Sequence, residues 1–257
     1  MLRRAVRRTK SSIKRALRGH QIIATEVPGR PSIPLIAYYD ELVGYYPNCE
    51  MATKRWFVEN VRPDWVLFDC GANIGYFSIL FSRLAPQGRV YAFEPTSTFE
   101  MLERNLGHND VTNVIAEQSA LGHSVGPAEA RIHRVWGHVV DRGRFDFTTV
   151  DACVERHGVE RVDCIKIDVD SYDFDVLQGA AATLERFDPA VVIELTDTAL
   201  ALRGQSTIEV LRWLASRGYH QSRVIEDNNF LFRRGDDHGA TDVGGRMTLF
   251  FPADREG

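Results

Sequence analysis

Short apolar runs alternate along the chain with stretches of helical periodicity. The runs Trp65–Phe68, Val90–Phe93, Asn113–Ala116, Val162–Val169 and Ala190–Leu195 are too short for helices. They are apolar at successive positions, which predicts strands buried on both faces. Between them, Ile74–Leu84, Phe99–Leu106 and Asp173–Phe187 place apolar residues at helical spacing, and Thr53–Asn60 and Val150–His157 predict shorter helices. Ser97 or Thr98 is the expected cap of the second of these, with Glu100 in its first turn. Ser206-Thr207-Ile208-Glu209 is a capping box, opening a helix that closes at Gly218. Ala130–Trp136 and Arg144–Val150 read as extended, and Tyr219–Ile225 and Phe230–Arg233 flank the hairpin signal Asp227-Asn228-Asn229. A last strand is expected over Arg246–Phe251. Prolines at 28, 31, 34 and 47 mark residues 27–48 as irregular. That segment carries Tyr38, Tyr39, Tyr45 and Tyr46, which suit the roof of a substrate pocket or plain packing on the domain. The alternation predicts an α/β fold, a mostly parallel sheet covered on both faces and ending in an antiparallel hairpin.

Composition adds little until the charge is mapped. Residues 1–18 hold eight Arg and Lys and no acid, so a whole-chain charge of −4 leaves the rest at −12. An acidic body argues against nucleic acid as a partner. The tail spaces Leu2, Val6, Thr9, Ile13 and Leu17 by three and four, a basic amphipathic helix. Such a helix suits peripheral contact with an anionic membrane or an acidic partner; an organellar presequence and a solvated extension share the pattern. The expected organisation is a basic extension over 1–20, a cap segment over 21–60 and the main domain over 61–257. No apolar run is long enough to span a bilayer. The scattered cysteines Cys49, Cys70, Cys153 and Cys164 read as reduced thiols, so the expected compartment is the cytoplasm.

The candidate chemistry gathers at the strand ends. Trp65–Phe81 reads as strand, acid, glycine turn and helix, with the spacing D-x-G-x-x-x-G rather than G-x-G-x-x-G. A leading carboxylate suits an amine or sulfonium better than a pyrophosphate. Asp69, Glu94, Asp168 and Glu194 each end an apolar run, and a parallel sheet brings such ends to one rim. Glu94 lies about twenty residues past Gly75, where a carboxylate accepts ribose hydroxyls. This position does not separate NAD from S-adenosylmethionine. Lys166, on a strand buried on both sides, needs a carboxylate partner, and Glu194 on the next strand is the expected one. A carboxylate cluster also suits a divalent cation, but no metal is expected.

The segments D-C-G-A-N-I-G, A-F-E-P, Asn105, Asn113-Val114, I-K-I-D-V-D-S-Y-D and V-V-I-E-L together resemble the FkbM-type S-adenosylmethionine-dependent methyltransferases, over roughly Trp56 to Phe232. The resemblance implies the Rossmann-like class I methyltransferase fold of seven strands. It also implies that Asp69, Gly71, Asn73 and Gly75 hold the methionine end of the cofactor, that Glu94 takes the ribose, and that Ser119, Ala120 and Leu121 frame the adenine. Asp168 and Asp170 then stand where the methyl group emerges, as orienting group or base, with His138 a further candidate base. The family pattern K-I-D-V-E-G-A-E departs here to Ser171-Tyr172 in place of Gly-Ala. The implied activity is O-methylation of a small-molecule or glycan hydroxyl, on a sugar or a secondary metabolite. The competing readings are an NAD-dependent oxidoreductase, which would lack its third glycine and any Tyr-x-x-x-Lys set, and a non-catalytic nucleotide-binding scaffold.

Overall fold

The computed structural model describes residues 20–37, 44–134, 139–226 and 228–235. The basic tail, Tyr38, Tyr39, Trp136, His138 and the strand expected over Arg246–Phe251 lie outside the described residues.

The central sheet has seven strands. In chain order they are β3 (Val66–Cys70), β4 (Arg89–Phe93), β5 (Val114–Glu117), β9 (Cys164–Ile167), β10 (Ala190–Glu194), β11 (Gln221–Glu226) and β12 (Asn229–Arg233). Their spatial order is β11-β12-β10-β9-β3-β4-β5. The five from β3 to β10 run parallel, and β12 pairs antiparallel with both β10 and β11. This is the sheet expected from the sequence. Successive strand residues feed opposite cores, as the two-residue period requires. Phe68, Ile165 and Val191 pack against α4 (Val150–Arg156), α5 (Asp173–Gln178), α6 (Ala181–Phe187) and α8 (Thr207–Ala215). Leu67, Cys164 and Val192 pack on the other side, with α1 (Met51–Asn60) and α2 (Tyr76–Leu84).

The expected helix over 173–187 is two helices, α5 and α6. The break follows from a cap: Asp151 accepts the N–H groups of Ala182 and Thr183 at 3.0 and 2.8 Å, so a new helix starts there. Helix α3 (Phe99–His108) also starts differently from expectation. Thr98 is at its N-cap but makes no side-chain cap bond; the Thr96 hydroxyl instead accepts the Thr98 N–H. The capping box of α8 is as expected, with the Ser206 hydroxyl accepting from Glu209 N–H and donating to its carboxylate.

Residues 27–48 are not irregular throughout. Gln21–Val27 (β1) and Arg30–Ala37 (β2) form an antiparallel hairpin that turns at Pro28-Gly29. Ile33, Leu35 and Ala37 are buried at alternate positions, so a period-two pattern lay beneath the prolines. A two-stranded sheet is all edge, where proline's missing N–H is tolerated. Asn105 of α3 fixes the hairpin: it accepts Ile36 N–H at 2.6 Å and donates to Ile36 C=O and Ile74 C=O at 3.1 and 2.8 Å. A second small sheet, β6-β8-β7, joins β6 (Ala120–Leu121) to the long hairpin β7 (Gly126–Arg134) and β8 (Val139–Thr148).

All four cysteines are buried and unpaired. No helix among the described residues is long and apolar enough to cross a membrane. Helix α7 (Asp197–Leu200) and a 3₁₀ turn over Ala201–Arg203 follow β10, above the carboxyl edge of the sheet.

Candidate active site

The carboxyl ends of β3, β4 and β9 open on a hollow of about 620 Å³. Its wall includes Gly71, Asn73, Glu94, Ser119, Ala120, Leu121, Asp168 and Asp170, all residues expected from the sequence. Thr96, Ile132 and Tyr172 also line it.

Backbone geometry makes the hollow. Gly71 has φ +87°, and a Cβ there would stand 1.8 Å from the Asp168 carbonyl oxygen, so only glycine lets the two loops meet. Asn73 follows with φ 50°, and Gly75, φ 92°, is the N-cap of α2 behind the wall. Across the rim, Asp170 and Ser171 have φ 49° and 93°. Left-handed non-glycine residues on two facing loops are strained, and such strain gathers at ligand sites. Ser171 occupies the position of a glycine in the family pattern, and its φ is one glycine adopts freely. Ser171→Gly is therefore expected to raise stability by up to about 1 kcal/mol, read as a higher urea midpoint.

Glu94 is buried and locked. Its carboxylate accepts the N–H of Asn73 at 3.2 Å and of Thr96 at 2.9 Å, and the Thr96 hydroxyl as well. One side chain thereby ties the β3 loop to the β4 loop. A threonine two residues past the acid is a signal that could have been read beside the E-P pair.

Asp69 does not reach the wall. It is fully buried, takes a bond from the Ser78 hydroxyl, and has one oxygen with no hydrogen-bond partner. That oxygen lies 3.8 Å from Lys166 Nζ, which donates to Asp168 at 3.1 Å. The expected Lys166–Glu194 pair is thus corrected to a Lys166–Asp168–Asp69 group. Register explains it: Lys166 stands directly beside Asp69 on one side and Val192 on the other, so Glu194 is two residues nearer the strand end. The Phe77 ring lies 4.7 Å below the ammonium. Burial opposes the charge of Lys166, yet Asp168, Asp69 and Glu50 outweigh it and hold its pKa above the usual lysine value. Burial pushes Asp69 up, against the pull of Lys166.

The remaining acids, Asp170, Glu194 and Asp173, are all pushed up in pKa. Burial, with Asp168, Asp173 and Glu94 close by, pushes Asp170 up to about 7. The Asp168 charge, then burial, push Glu194 up to about 9, which favours its neutral form beside Asp168. Asp173 is pushed up to about 7 by burial, but its carboxylate accepts the N–H groups of Val169 and Ser171 and shapes the loop.

Sequence reasoning missed Glu50. It is the N-cap of α1, with φ 47° and no side-chain cap bond, and its carboxylate takes the Tyr76 hydroxyl and lies 3.5 Å from Asn229 Nδ2. Nothing local marks it, because its place is set by strands far away in sequence. Tyr46 packs edge-on against Tyr76, 5.1 Å between rings, and is buried, which is the packing role left open for the aromatic segment.

A mostly parallel seven-stranded sheet ending in an antiparallel hairpin, with an acid-lined hollow at its strand ends, defines a class I methyltransferase domain. The chain belongs to the FkbM family: the methyltransferase FkbM domain matches residues 69–220. S-adenosylmethionine is the cofactor of this family, and the walls suit it, with carboxylates for a cation and a glycine cradle that any Cβ would fill. The chain is 26% identical over 162 residues to methyltransferase sdnD of Sordaria araneosa, covering 48% of this chain and 62% of the relative. It is 29% identical over 150 residues to hexuronic acid methyltransferase AglP of Haloferax volcanii, covering 56% of this chain and 61% of that protein. The chain thus spans a little under two thirds of these relatives. The crystal structure of methyltransferase FkbM from Methylobacillus flagellatus shares the fold, with a TM-score of 0.50 at 17% identity over 66% of this chain and 44% of that one.

Proposed function

We propose that the protein transfers a methyl group from S-adenosylmethionine to a hydroxyl oxygen of a small molecule, a sugar or a secondary metabolite. The observation that carries this is the charge of the hollow: Glu94, Asp168 and Asp170 line it, and no Lys or Arg among the described residues does. The hexuronic acid named for the Haloferax volcanii relative supports a sugar acceptor.

Bound S-adenosylmethionine supplies an electrophilic methyl carbon on a sulfonium. The chain's residues do the rest. Glu94 accepts the two ribose hydroxyls, and Asn73 with the Gly71 turn holds the amino-acid end. Ser119, Ala120 and Leu121 enclose the base. Asp168, fixed by Lys166, orients the acceptor hydroxyl, and Asp170 takes its proton as the oxygen closes on carbon. Glu194 stays protonated and stabilises Asp168; Lys166 and Asp69 are positioning residues below. Holding the acceptor in line contributes about 7–11 kcal/mol to lowering the barrier.

Isothermal titration tests the reading. S-adenosylmethionine and S-adenosylhomocysteine are expected to bind and NAD is not, and Glu94→Ala should weaken both by about 10–100-fold through lost charge-assisted bonds. Binding of NAD with similar strength, or undiminished binding by the variant, would replace it with the oxidoreductase or scaffold reading.

A further inference from the structure

A second hollow, about 1040 Å³, adjoins the first, with Tyr172 in the wall of both. It lies between the β7–β8 hairpin and the segments after β9 and β10. Arg131, Arg142 and Arg203 line it, with Glu129 the one acid among the described residues. Two neighbouring hollows therefore have opposite character, the first acidic and the second basic.

The arginines are not equivalent. Arg203 is already neutralised: it forks onto Asp175 at 2.7 and 2.8 Å and stacks on the Tyr172 ring at 3.8 Å. Arg131 and Arg142 are exposed and make no ion pair with any described residue. They also face each other directly in the β7–β8 register. Like charges opposite one another on an antiparallel pair are destabilising. Glu129 does not relieve them in register, since it stands opposite Arg144. A cross-strand pair of guanidiniums at the mouth of a hollow is a geometry that an anion bridges, each fork taking one side of a carboxylate or phosphate. Leu202, largely exposed in the same wall, offers an apolar edge to the rest of the ligand.

We propose that this second hollow binds the methyl acceptor, and that the acceptor carries an anionic group, a carboxylate or a phosphate, held between Arg131 and Arg142. The proposal rests on the methyltransferase reading for its orientation: the anion is anchored away from the acidic hollow, and the acceptor's neutral hydroxyl points past Tyr172 toward Asp168 and Asp170. The acids of the first hollow repel the anionic end, which keeps the acceptor from binding backwards.

The test titrates glucose 1-phosphate, glucuronate and glucose into the full chain with S-adenosylhomocysteine present, then repeats the series with the double variant Arg131→Gln/Arg142→Gln. Binding of at least one anion is expected in the millimolar range or tighter, weakening as salt is raised, with glucose at least about tenfold weaker. A preference for glucose 1-phosphate identifies a phosphate, and the reverse a carboxylate. The double variant should lose at least about tenfold in anion affinity. It should keep its S-adenosylhomocysteine affinity, and its urea midpoint should not fall, because two facing like charges have been removed. Equal binding of glucose, an unaffected double variant, or no anion binding up to about 10 mM, the weak end of specific affinity, overturns the proposal. Anion binding without any S-adenosylhomocysteine binding would remove the methyltransferase reading and leave the basic hollow as an anion site. The converse would remove the anionic acceptor alone.

Discussion

Lys166→Met is expected to destabilise the protein by about 3–5 kcal/mol at neutral pH, the usual cost of removing one partner of a buried ion pair. Lys166 is 3% exposed and is the cation that faces both Asp69, which is fully buried, and Asp168. Methionine fills most of the same volume and can keep the contact with Phe77, so the loss is electrostatic rather than one of packing. Without the ammonium, the two carboxylates must either stay charged in a low dielectric or take up protons. Protonation is the cheaper course, which gives the deficit a pH dependence of known sign. Burial already pushes the pKa of Asp69 up against the pull of Lys166, and without that pull its folded-state value would lie further above its unfolded one. Stability would then be retained at low pH and lost as pH rises through that window. Urea unfolding should show a small deficit at about pH 5 and a larger one at about pH 8. A second variant separates charge from packing: adding Asp69→Asn to Lys166→Met should recover part of the loss, since one uncompensated acid goes with its partner. Unchanged stability of the single variant, or no recovery in the double, would remove the ion group as the support beneath the rim.

That group also shows what could be read from the sequence and what could not. The strand ends were legible because parallel strands are apolar on both faces, so an acid closing such a run stands out, as Asp69, Glu94, Asp168 and Glu194 do. Their partners were not legible. Whether Lys166 meets Asp69 or Glu194 depends on how far neighbouring parallel strands slide past each other, and connections of many residues carry no signal for that. The β1–β2 hairpin was hidden for another reason. Pro31 and Pro34 are strong local breakers, but on a two-stranded edge they do not break, and the alternation of Ile33, Leu35 and Ala37 decides. Glu50 acts on the charge of Lys166 from the left-handed turn at the start of α1, and what holds it there, Tyr76 and Asn229, is distant in sequence. Ser171 is the opposite case: it stands where the family pattern has glycine, and it takes a φ of 93° at a cost in strain.

The kcat/KM for S-adenosylmethionine should rise with pH through about 7 and level off above, and Asp170→Asn should lower the rate by about 10²–10⁴-fold and flatten the limb. Asp170 is the one acid of the hollow wall pushed up to about 7, so near neutrality it is both ionised enough to act and basic enough to take a proton. Asp173, also pushed up to about 7, lies outside the wall and spends its oxygens on two backbone N–H groups, so it is not expected to produce the limb. The residues that raise Asp170, namely Asp168, Asp173 and Glu94, are all acids, and a cationic donor beside them reverses part of the effect. Two further signs follow. The limb should stand at lower pH in kcat than in kcat/KM, because the bound sulfonium favours the ionised form. By linkage, affinity for S-adenosylmethionine should rise with pH through about 7 while that for S-adenosylhomocysteine, whose sulfur is a neutral thioether, changes less. The empty protein should show the reverse trend in stability: a carboxyl raised on folding binds its proton better in the native state, so its contribution falls as pH climbs from the unfolded value of about 3.9 toward about 7. A kcat/KM profile for S-adenosylmethionine that is flat from about pH 6 to about pH 8, or an Asp170→Asn enzyme of full activity, would take the proton-accepting role from Asp170. In that case Asp168, the wall carboxylate next to Asp170 that is not assigned to the ribose, becomes the base, and Asp168→Asn the variant that loses turnover while still binding the cofactor.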